Sequence, residues 1–569
     1  MDGAMEQKAG SFKLRQYSIV GFAYIVLVSL VLYPIGGLFL SAFRIDKIGE
    51  ASVWTISNFG LVLSSPEFLR ALRVTITLSS EAVVLSTFLG VLLAWLVART
   101  DIPFKKALEP LNLIPFYLSS LVGALSWEVL AAPRSGILNL LATRVFGFDA
   151  PPLNIYSITG MGLILGLYYT PYVYLFTLGS IQNMDPALED AGRVSGASTL
   201  STMLRITLPL AGPAILSASI LVFILTASIF GVPLVLGGPG RIHTVSTLIW
   251  SYLELYPPNY NAAAALSLVL LILTIFLVIL QYRVLARRKF YTVTGKGYRP
   301  RLIHLGRWRW AALGLNVAYL SVILLPFVVL VFISFVPGWV GGLNFAKFSL
   351  DNYKTVLLVN EVTQRGLINS TIIAVVGASI AVVGFTVLAA LITRTILPFR
   401  TGLDFIGMAP VAFPGIVLGV GFLVAWIKTP IYGTLWILML AYIVHFMPTG
   451  LRSMSATLSG ISPDLDECAR VSGASWFGAL RRILMPLIWP GLMSTWLLLF
   501  VIFMREVSSS MMLYVHGTET ISIALIQIME YEPQGASAAF GILLTLIILV
   551  GVYFFRKLTS MVRVEMESG

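Results

Sequence analysis

The chain is expected to be an all-α membrane protein of about twelve transmembrane helices, arranged as two parallel six-helix repeats about a pseudo-two-fold axis along the membrane normal. Three observations predict this. Hydrophobic residues make up 57% of the 569 residues and charged residues only 11%, with a mean hydropathy of +0.89, where a soluble domain carries about 25% charged residues. The apolar residues gather into runs long enough for a bilayer core, which needs about 20 residues per helix. One polar segment also occurs twice, 277 residues apart: Leu188-Glu-Asp-Ala-Gly-Arg-Val-Ser-Gly-Ala-Ser198 and Leu465-Asp-Glu-Cys-Ala-Arg-Val-Ser-Gly-Ala-Ser475.

The runs lie near 17–43, 73–98, 107–132, 157–183, 210–235 and 261–285, then near 310–336, 368–393, 404–427, 430–450, 487–512 and 537–556. The first is far longer than the 7–15 residues of a signal-peptide core, so it reads as a retained helix. The chain divides into a first repeat (1–285), a basic linker (286–309) and a second repeat (310–569). Arg287, Arg288, Lys289, Lys296, Arg299, Arg301 and Arg307 crowd the linker with no acidic residue between them, which places it in the cytoplasm. Six spans per half then put both termini and both copies of the repeated segment on that side. A second pair of landmarks, Arg99-Thr-Asp-Ile-Pro-Phe104 and Arg394-Thr-Ile-Leu-Pro-Phe399, recurs at an offset of 295. The eighteen-residue difference predicts an external insertion around Pro133 to Leu153 in the first half.

The charge of +12 does not indicate nucleic acid, because the basic residues sit in short stretches beside apolar runs. The single cysteine, Cys468, excludes an intrachain disulfide and a cysteine metal cluster, and no metal site is assigned. No Gly-x4-Gly-Lys-(Ser/Thr) phosphate loop occurs, so the chain is not expected to be an enzyme or to hold ATP.

Each repeated segment opens on a capping residue and a proline, Asp185-Pro186 and Ser462-Pro463, which start a helix. Leu188, Ala191 and Val194, or Leu465, Cys468 and Val471, recur at three-residue spacing and form one apolar stripe. Glu189, Asp190 and Arg193, or Asp466, Glu467 and Arg470, supply polar neighbours, and Gly196 or Gly473 ends the helix. A short helix offering such a stripe suits a groove in another protein better than bare contact with lipid.

With Gly196, Ile206, Leu208 and Pro209, and with Gly473, Ile483, Met485 and Pro486, these segments resemble the cytoplasmic loop signature of permeases in binding-protein-dependent ABC importers. The departures are Asp190 for Glu, Gly192 and Cys468 at Ala positions, beside the retained Ala469, and Met485 for Leu. The resemblance implies that Leu188–Gly196 and Leu465–Gly473 are coupling helices for two cytoplasmic ATPase subunits, which carry ATP and magnesium. It also implies a separate extracytoplasmic substrate-binding protein and a place in the bacterial cytoplasmic (inner) membrane. Ile229-Phe-Gly-Val-Pro-Leu-Val-Leu236, Tyr256-Pro-Pro-Asn-Tyr260 and Arg505-Glu-Val-Ser-Ser-Ser-Met-Met-Leu-Tyr514 look most like ferric-iron permeases, with thiamine, polyamine and phosphonate importers as alternatives.

Glu81, Glu128, Arg505 and Glu506 fall within apolar runs, where charges must face protein or water. Their counterparts, Val376, Leu423, Ser228 and Ile229, are uncharged, so the duplication does not explain them. They either line a pathway or hold helices together as Arg–carboxylate pairs, with Glu81 and Glu128 the expected partners of Arg505. Tyr168 and His445 occupy equivalent positions shortly before Pro171 and Pro448, where packing at a kink competes with a pathway role. An ion-coupled secondary transporter is the competing class; it would require intramembrane carboxylates or broken helices at matching sites in both halves, and the carboxylates do not match.

Overall fold

The computed structural model describes residues 18–45, 52–185, 187–287, 302–337, 348–395, 399–462, 464, 478, 481 and 484–568, without the side chains of 284–287 and 555–568. Among these, nine helices are long and apolar enough to cross a membrane, and twelve when three bent pairs each count as one span. The fold is all-α and multi-pass, built from two homologous repeats.

The first repeat runs α1 (Ser18–Ala42), α2 (Pro66–Arg99), the bent pair α3 (Lys105–Tyr117) and α4 (Ser120–Ala131), α5 (Ile137–Val145), α6 (Ile158–Gln182), α7 (Ala187–Val194), α8 (Thr199–Ala227), α9 (Gly231–Gly240), α10 (Val245–Leu253) and α11 (Tyr260–Arg287). The second runs α12 (Trp308–Ser334), α13 (Glu361–Arg394), the bent pair α14 (Arg400–Ala412) and α15 (Gly415–Trp426), the bent pair α16 (Leu435–His445) and α17 (Met447–Ser459), α18 (Met485–Met504), α19 (Ser508–Leu513), α20 (Ile521–Tyr531) and α21 (Gln534–Ser568).

Local chemistry sets the boundaries. Ser65 accepts the Phe68 N–H at 3.1 Å ahead of Pro66 and starts α2, and Asn360 accepts the N–H groups of Val362 and Thr363 to start α13. Thr75 of α2 accepts the Val245 N–H at 2.9 Å and fixes the head of α10; Ser370 of α13 does the same for Ile521 and α20 at 2.7 Å. Phe104 and Phe399, equivalent residues of the second landmark, both enter the next helix with positive φ, +59° and +74°. The insertion also lies where expected: 26 residues (132–157) join α4 to α6, against eight (427–434) between α15 and α16. Asn139 pins it by donating to Ala132 and Leu153 carbonyls and accepting the Leu153 N–H.

Three spans differ from the continuous helices expected from hydropathy. The third and ninth bend by 91° and 110°, between Tyr117 and Ser120 and between Ala412 and Gly415. The tenth bends by 55° between His445 and Met447. Pro115 and Pro410, at equivalent positions, and Pro414 and Pro448 lie at or near these bends, and a proline supplies no N–H to the helical ladder. The fifth and eleventh spans end early, at Ala227 and Met504, and the chain restarts as the short helices α9 and α19.

The repeats exchange their first helices. The C-terminal part of α1 and helix α11 pack on α15 of the second repeat, and α12 and α21 pack on α4 of the first. A Cβ on Gly421 would lie 3.0 Å from the Pro34 carbonyl oxygen, and one on Gly541 3.2 Å from Val122 Cγ1, so both contacts are close.

Candidate functional site

The first repeated segment folds as the eight-residue helix α7. Asp185 Oδ1 accepts the Ala187 N–H at 2.9 Å, as expected for its start. At its end Gly196 adopts φ +86°, and the Ala197 N–H returns to the Gly192 carbonyl at 3.0 Å, a left-handed turn that favours glycine. Leu188, Ala191 and Val194 are exposed, so the apolar stripe is free along the outside of the helix. Gly192 faces inward, where a Cβ would lie 2.5 Å from Ile206 Cδ1. That contact joins two positions of the repeated signature and explains their spacing.

Of the residues expected in the docking helix, Glu189 turns inward. Its side chain is 3% exposed and accepts Arg99 Nε at 3.1 Å and Thr207 Oγ1 at 2.7 Å. Arg193 stays near the surface beside Asp190, at 3.5 Å. The second segment, Leu465, Asp466, Glu467, Cys468, Ala469, Arg470 and Gly473, lies outside the described residues, as does most of the basic linker. What is described of that linker clasps the first repeat: Thr100 and Ile303 form a parallel bridge, and Asp101 accepts the Leu305 N–H at 2.9 Å and meets His304 Nδ1 at 3.2 Å. The Leu305 N–H holds the Asp101 carboxyl below the usual carboxylate range; partial burial opposes this and His304 reinforces it.

A cavity of about 690 Å³ lies between the repeats, lined by the bent third, ninth and tenth spans. The bends of the third and ninth spans are each held by the other repeat. Arg505, between α18 and α19, donates to the Phe116 carbonyl at 2.5 Å and the Leu118 carbonyl at 3.3 Å, with its guanidinium 5.3 Å from the Phe116 ring. Thr274 of α11 donates to the Ala412 carbonyl at 2.7 Å. Glu506 caps α19 by accepting the Ser509 N–H at 2.8 Å.

Four of the six charged or polar residues singled out within the spans line this cavity: Tyr168, His445, Arg505 and Glu506. Tyr168 is buried, and neither its hydroxyl nor His445 Nδ1 has a hydrogen-bond partner among the described residues. Glu81 and Glu128 are not among the lining residues, and neither pairs with Arg505. Glu81 Oε1 accepts Thr159 Oγ1 at 3.4 Å and Glu128 Oε1 accepts the Tyr156 hydroxyl at 2.8 Å. An arginine can be satisfied by carbonyls that a bend exposes, and the bend was not foreseen from hydropathy. Tyr169 and Tyr172, stacked at 5.5 Å, complete the wall and carried no sequence signal beyond their place on α6. The breaks themselves had one, the prolines Pro115 and Pro410 repeated at the landmark offset.

Matching broken helices are a feature the sequence argument reserved for a secondary transporter, so the geometry alone does not separate the classes; similarity to known proteins does. A family model described as binding-protein-dependent transport system inner membrane component matches residues 86–291 and again 383–564. The chain is 25% identical over 548 residues to the ferric transport system permease protein FbpB of Actinobacillus pleuropneumoniae, covering 93% of this chain and 76% of that protein. It is 26% identical over 509 residues to the putative ferric transport system permease protein FbpB 1 of Haemophilus influenzae, covering 88% and 78%. Among solved structures, a chain of a bacterial ABC transporter involved in import of the acidic polysaccharide alginate aligns with 50% of this chain and 100% of its own length, at 19% identity and a TM-score of 0.39. The family model falls once on each repeat and takes in α7 and most of the cavity-lining helices: this chain belongs to the family of inner membrane components of binding-protein-dependent transport systems.

Proposed function

We propose that this chain forms the translocation pathway of an importer for ferric iron. Its family role is that of a transport subunit, working in the membrane with ATPase subunits that carry ATP and magnesium and with a separate substrate-binding protein. The observation that carries the reading is the cavity between the bent third and ninth spans, lined by both repeats, with a docking helix at the end of α6, the helix that supplies its tyrosine wall. Two relatives named as ferric transport permeases, matched over most of both chains, support iron as the cargo. So do the oxygen donors of Tyr168, Tyr169, Tyr172 and Glu506 in the cavity wall, since a hard ferric ion favours oxygen ligands.

In this reading the repeats are 1–285 and 310–569, joined by the linker 286–309. The end of the bundle that carries Arg99, Glu189 and Arg394 faces the cytoplasm, together with both termini. One ATPase subunit docks on Leu188–Gly196 and the other on Leu465–Gly473. ATP binding draws the two docking helices together and rocks the repeats about the central cavity, which opens to each side in turn. The test is uptake into proteoliposomes holding the chain, its ATPase subunits and its binding protein, comparing ferric ion with thiamine, polyamines and phosphonates. Iron uptake that depends on ATP and on the binding protein is expected. Uptake of one organic solute without iron removes the ferric reading and leaves the importer role intact.

A further inference from the structure

Arg99 sits where three elements meet, and its side chain is 1% exposed. Its Nε donates to Glu189 of α7 and its Nη2 to the Met184 carbonyl, at 3.4 Å, just past the end of α6. Thr207, at the start of the apolar part of α8, donates to the same Glu189 oxygen. A guanidinium and a carboxylate removed this far from water lose strong hydration, so the pair is held by its mutual geometry and by these added hydrogen bonds. We propose that Arg99 is a positioning residue for energy coupling, bracing α7, α6 and α2 into one lever whose far side is the tyrosine wall of the cavity. The proposal rests on the reading of α7 as an ATPase-docking helix.

The turn at 183–185 that follows α6 could absorb a push on α7 if nothing tied the two helices together. Arg99 ties them, holding the Met184 carbonyl within the turn and Glu189 of α7 beyond it. From Arg99 the lever continues along α2, unbroken for 34 residues or about 51 Å. Helices α2 and α6 run side by side in the same direction and nearly touch at three glycines. A Cβ on Gly90 would lie 2.7 Å from Val173 Cβ, one on Gly166 2.8 Å from Leu85 Cβ, and one on Gly162 2.5 Å from Glu81 Oε2. Such spacing leaves little room for the two helices to slide independently. Between these contacts α6 presents Tyr168, Tyr169 and Tyr172 to the cavity.

The second repeat reproduces the arginine-to-carbonyl half of this contact. Arg394, the counterpart of Arg99, donates to the Ile461 carbonyl at 2.6 Å and to the Leu458 carbonyl, and Ile461 is the counterpart of Met184 at the 277-residue offset. In the first repeat the Arg99 carbonyl also accepts the Ile303 N–H at 2.8 Å, which ties the chain entering α12 to the same lever.

The experiment uses the complete transporter in proteoliposomes, with wild type, Arg99→Gln and Arg99→Lys measured for assembly with the ATPase subunits, stimulation of ATP hydrolysis by the loaded binding protein, and cargo moved per ATP. Arg99→Gln is expected to assemble and hydrolyse ATP while stimulation and cargo per ATP fall by about tenfold; Arg99→Lys, which keeps the charge toward Glu189, regains part of both. Wild-type cargo per ATP in Arg99→Gln overturns the proposal. So does failure of Arg99→Gln to assemble, whether or not Arg99→Lys repairs it, unless the repaired complex is itself uncoupled, because the residue then only holds the fold. A wild-type complex in which the binding protein does not stimulate hydrolysis sinks the importer reading instead, and is recognised before any variant is compared.

Discussion

Arg505→Met removes the group that holds the bend of the third span, and its cost can be worked from the contacts. The guanidinium donates to two carbonyls at the bend, Phe116 and Leu118, and stands over the Phe116 ring. Side-chain hydrogen bonds inside membrane proteins average about 0.6 kcal/mol and reach about 1.7, and a cation over an aromatic face adds about 0.5–1 kcal/mol. Methionine keeps most of the apolar stem, and the half-buried position beside the cavity lets water reach part of the gap, so the expected loss is about 2–3 kcal/mol. Unfolding in mixed micelles of dodecyl maltoside and dodecyl sulfate, followed by tryptophan fluorescence, measures it. Glu128 and Glu81 have their own partners, Tyr156 and Thr159. The losses from Arg505→Met and from Glu128→Gln or Glu81→Gln should therefore add within about 0.5 kcal/mol. A loss below about 0.5 kcal/mol for Arg505→Met, or a coupling energy above about 1 kcal/mol with either carboxylate, would refute the assignment of Arg505 to the bend.

Gly196→Val should strain the left-handed turn after α7 by about 1–2 kcal/mol or more. Nothing lies within 4 Å of the added Cβ, so the effect is one of backbone conformation and should appear as roughly tenfold weaker ATPase binding in pull-down titrations; unchanged binding would detach the turn from docking. The Asp101 clasp carries a pH dependence of known sign. Its carboxyl titrates below the ordinary value of 3.8, so its contribution is complete above that value and is lost as pH falls through the lowered one. Amide exchange at Leu305, normalised for intrinsic rate, should therefore accelerate at acid pH in wild type, whereas Asp101→Asn, whose amide oxygen can still accept the N–H but does not titrate, should show no such acid step; identical profiles would dissociate Asp101 from the clasp.

The number and order of the spans were legible because each is a long apolar run, and the duplication was legible because identical residues recur at constant offsets. The bends were not. Hydropathy averages over a window and is nearly the same for a straight helix and for two half-helices meeting at 91°, and only Pro115 and Pro410, read as a repeated pair, hinted otherwise. The same blindness misassigned Arg505. With two unbroken helices its available partners are carboxylates; with a broken one they are carbonyls. The inward turn of Glu189 was not legible for a different reason. Its neighbours on a short helix are exposed, and only the three-dimensional meeting with Arg99, ninety residues earlier in the chain, turns it inward. Tyr168, His445, Arg505 and Glu506 were found because polar groups in apolar runs need an explanation, whereas Tyr169 and Tyr172 are amphipathic enough to pass unnoticed.

The bends of the third and ninth spans also account for a feature the duplication leaves open, namely why the halves differ where they meet the cavity. Each bend is braced by the opposite repeat, the first by the guanidinium of Arg505 and the second by the hydroxyl of Thr274. Two identical halves would have to brace both bends with the same group, whereas a single chain joining them is free to use a cation on one side and a neutral donor on the other. The cavity consequently carries the charges of Arg505 and Glu506 from the second repeat alone, next to Phe116 and the tyrosines of α6, and their counterparts Ser228 and Ile229 are uncharged. The symmetry of the fold therefore fails in the cavity wall at the residues that brace its bends.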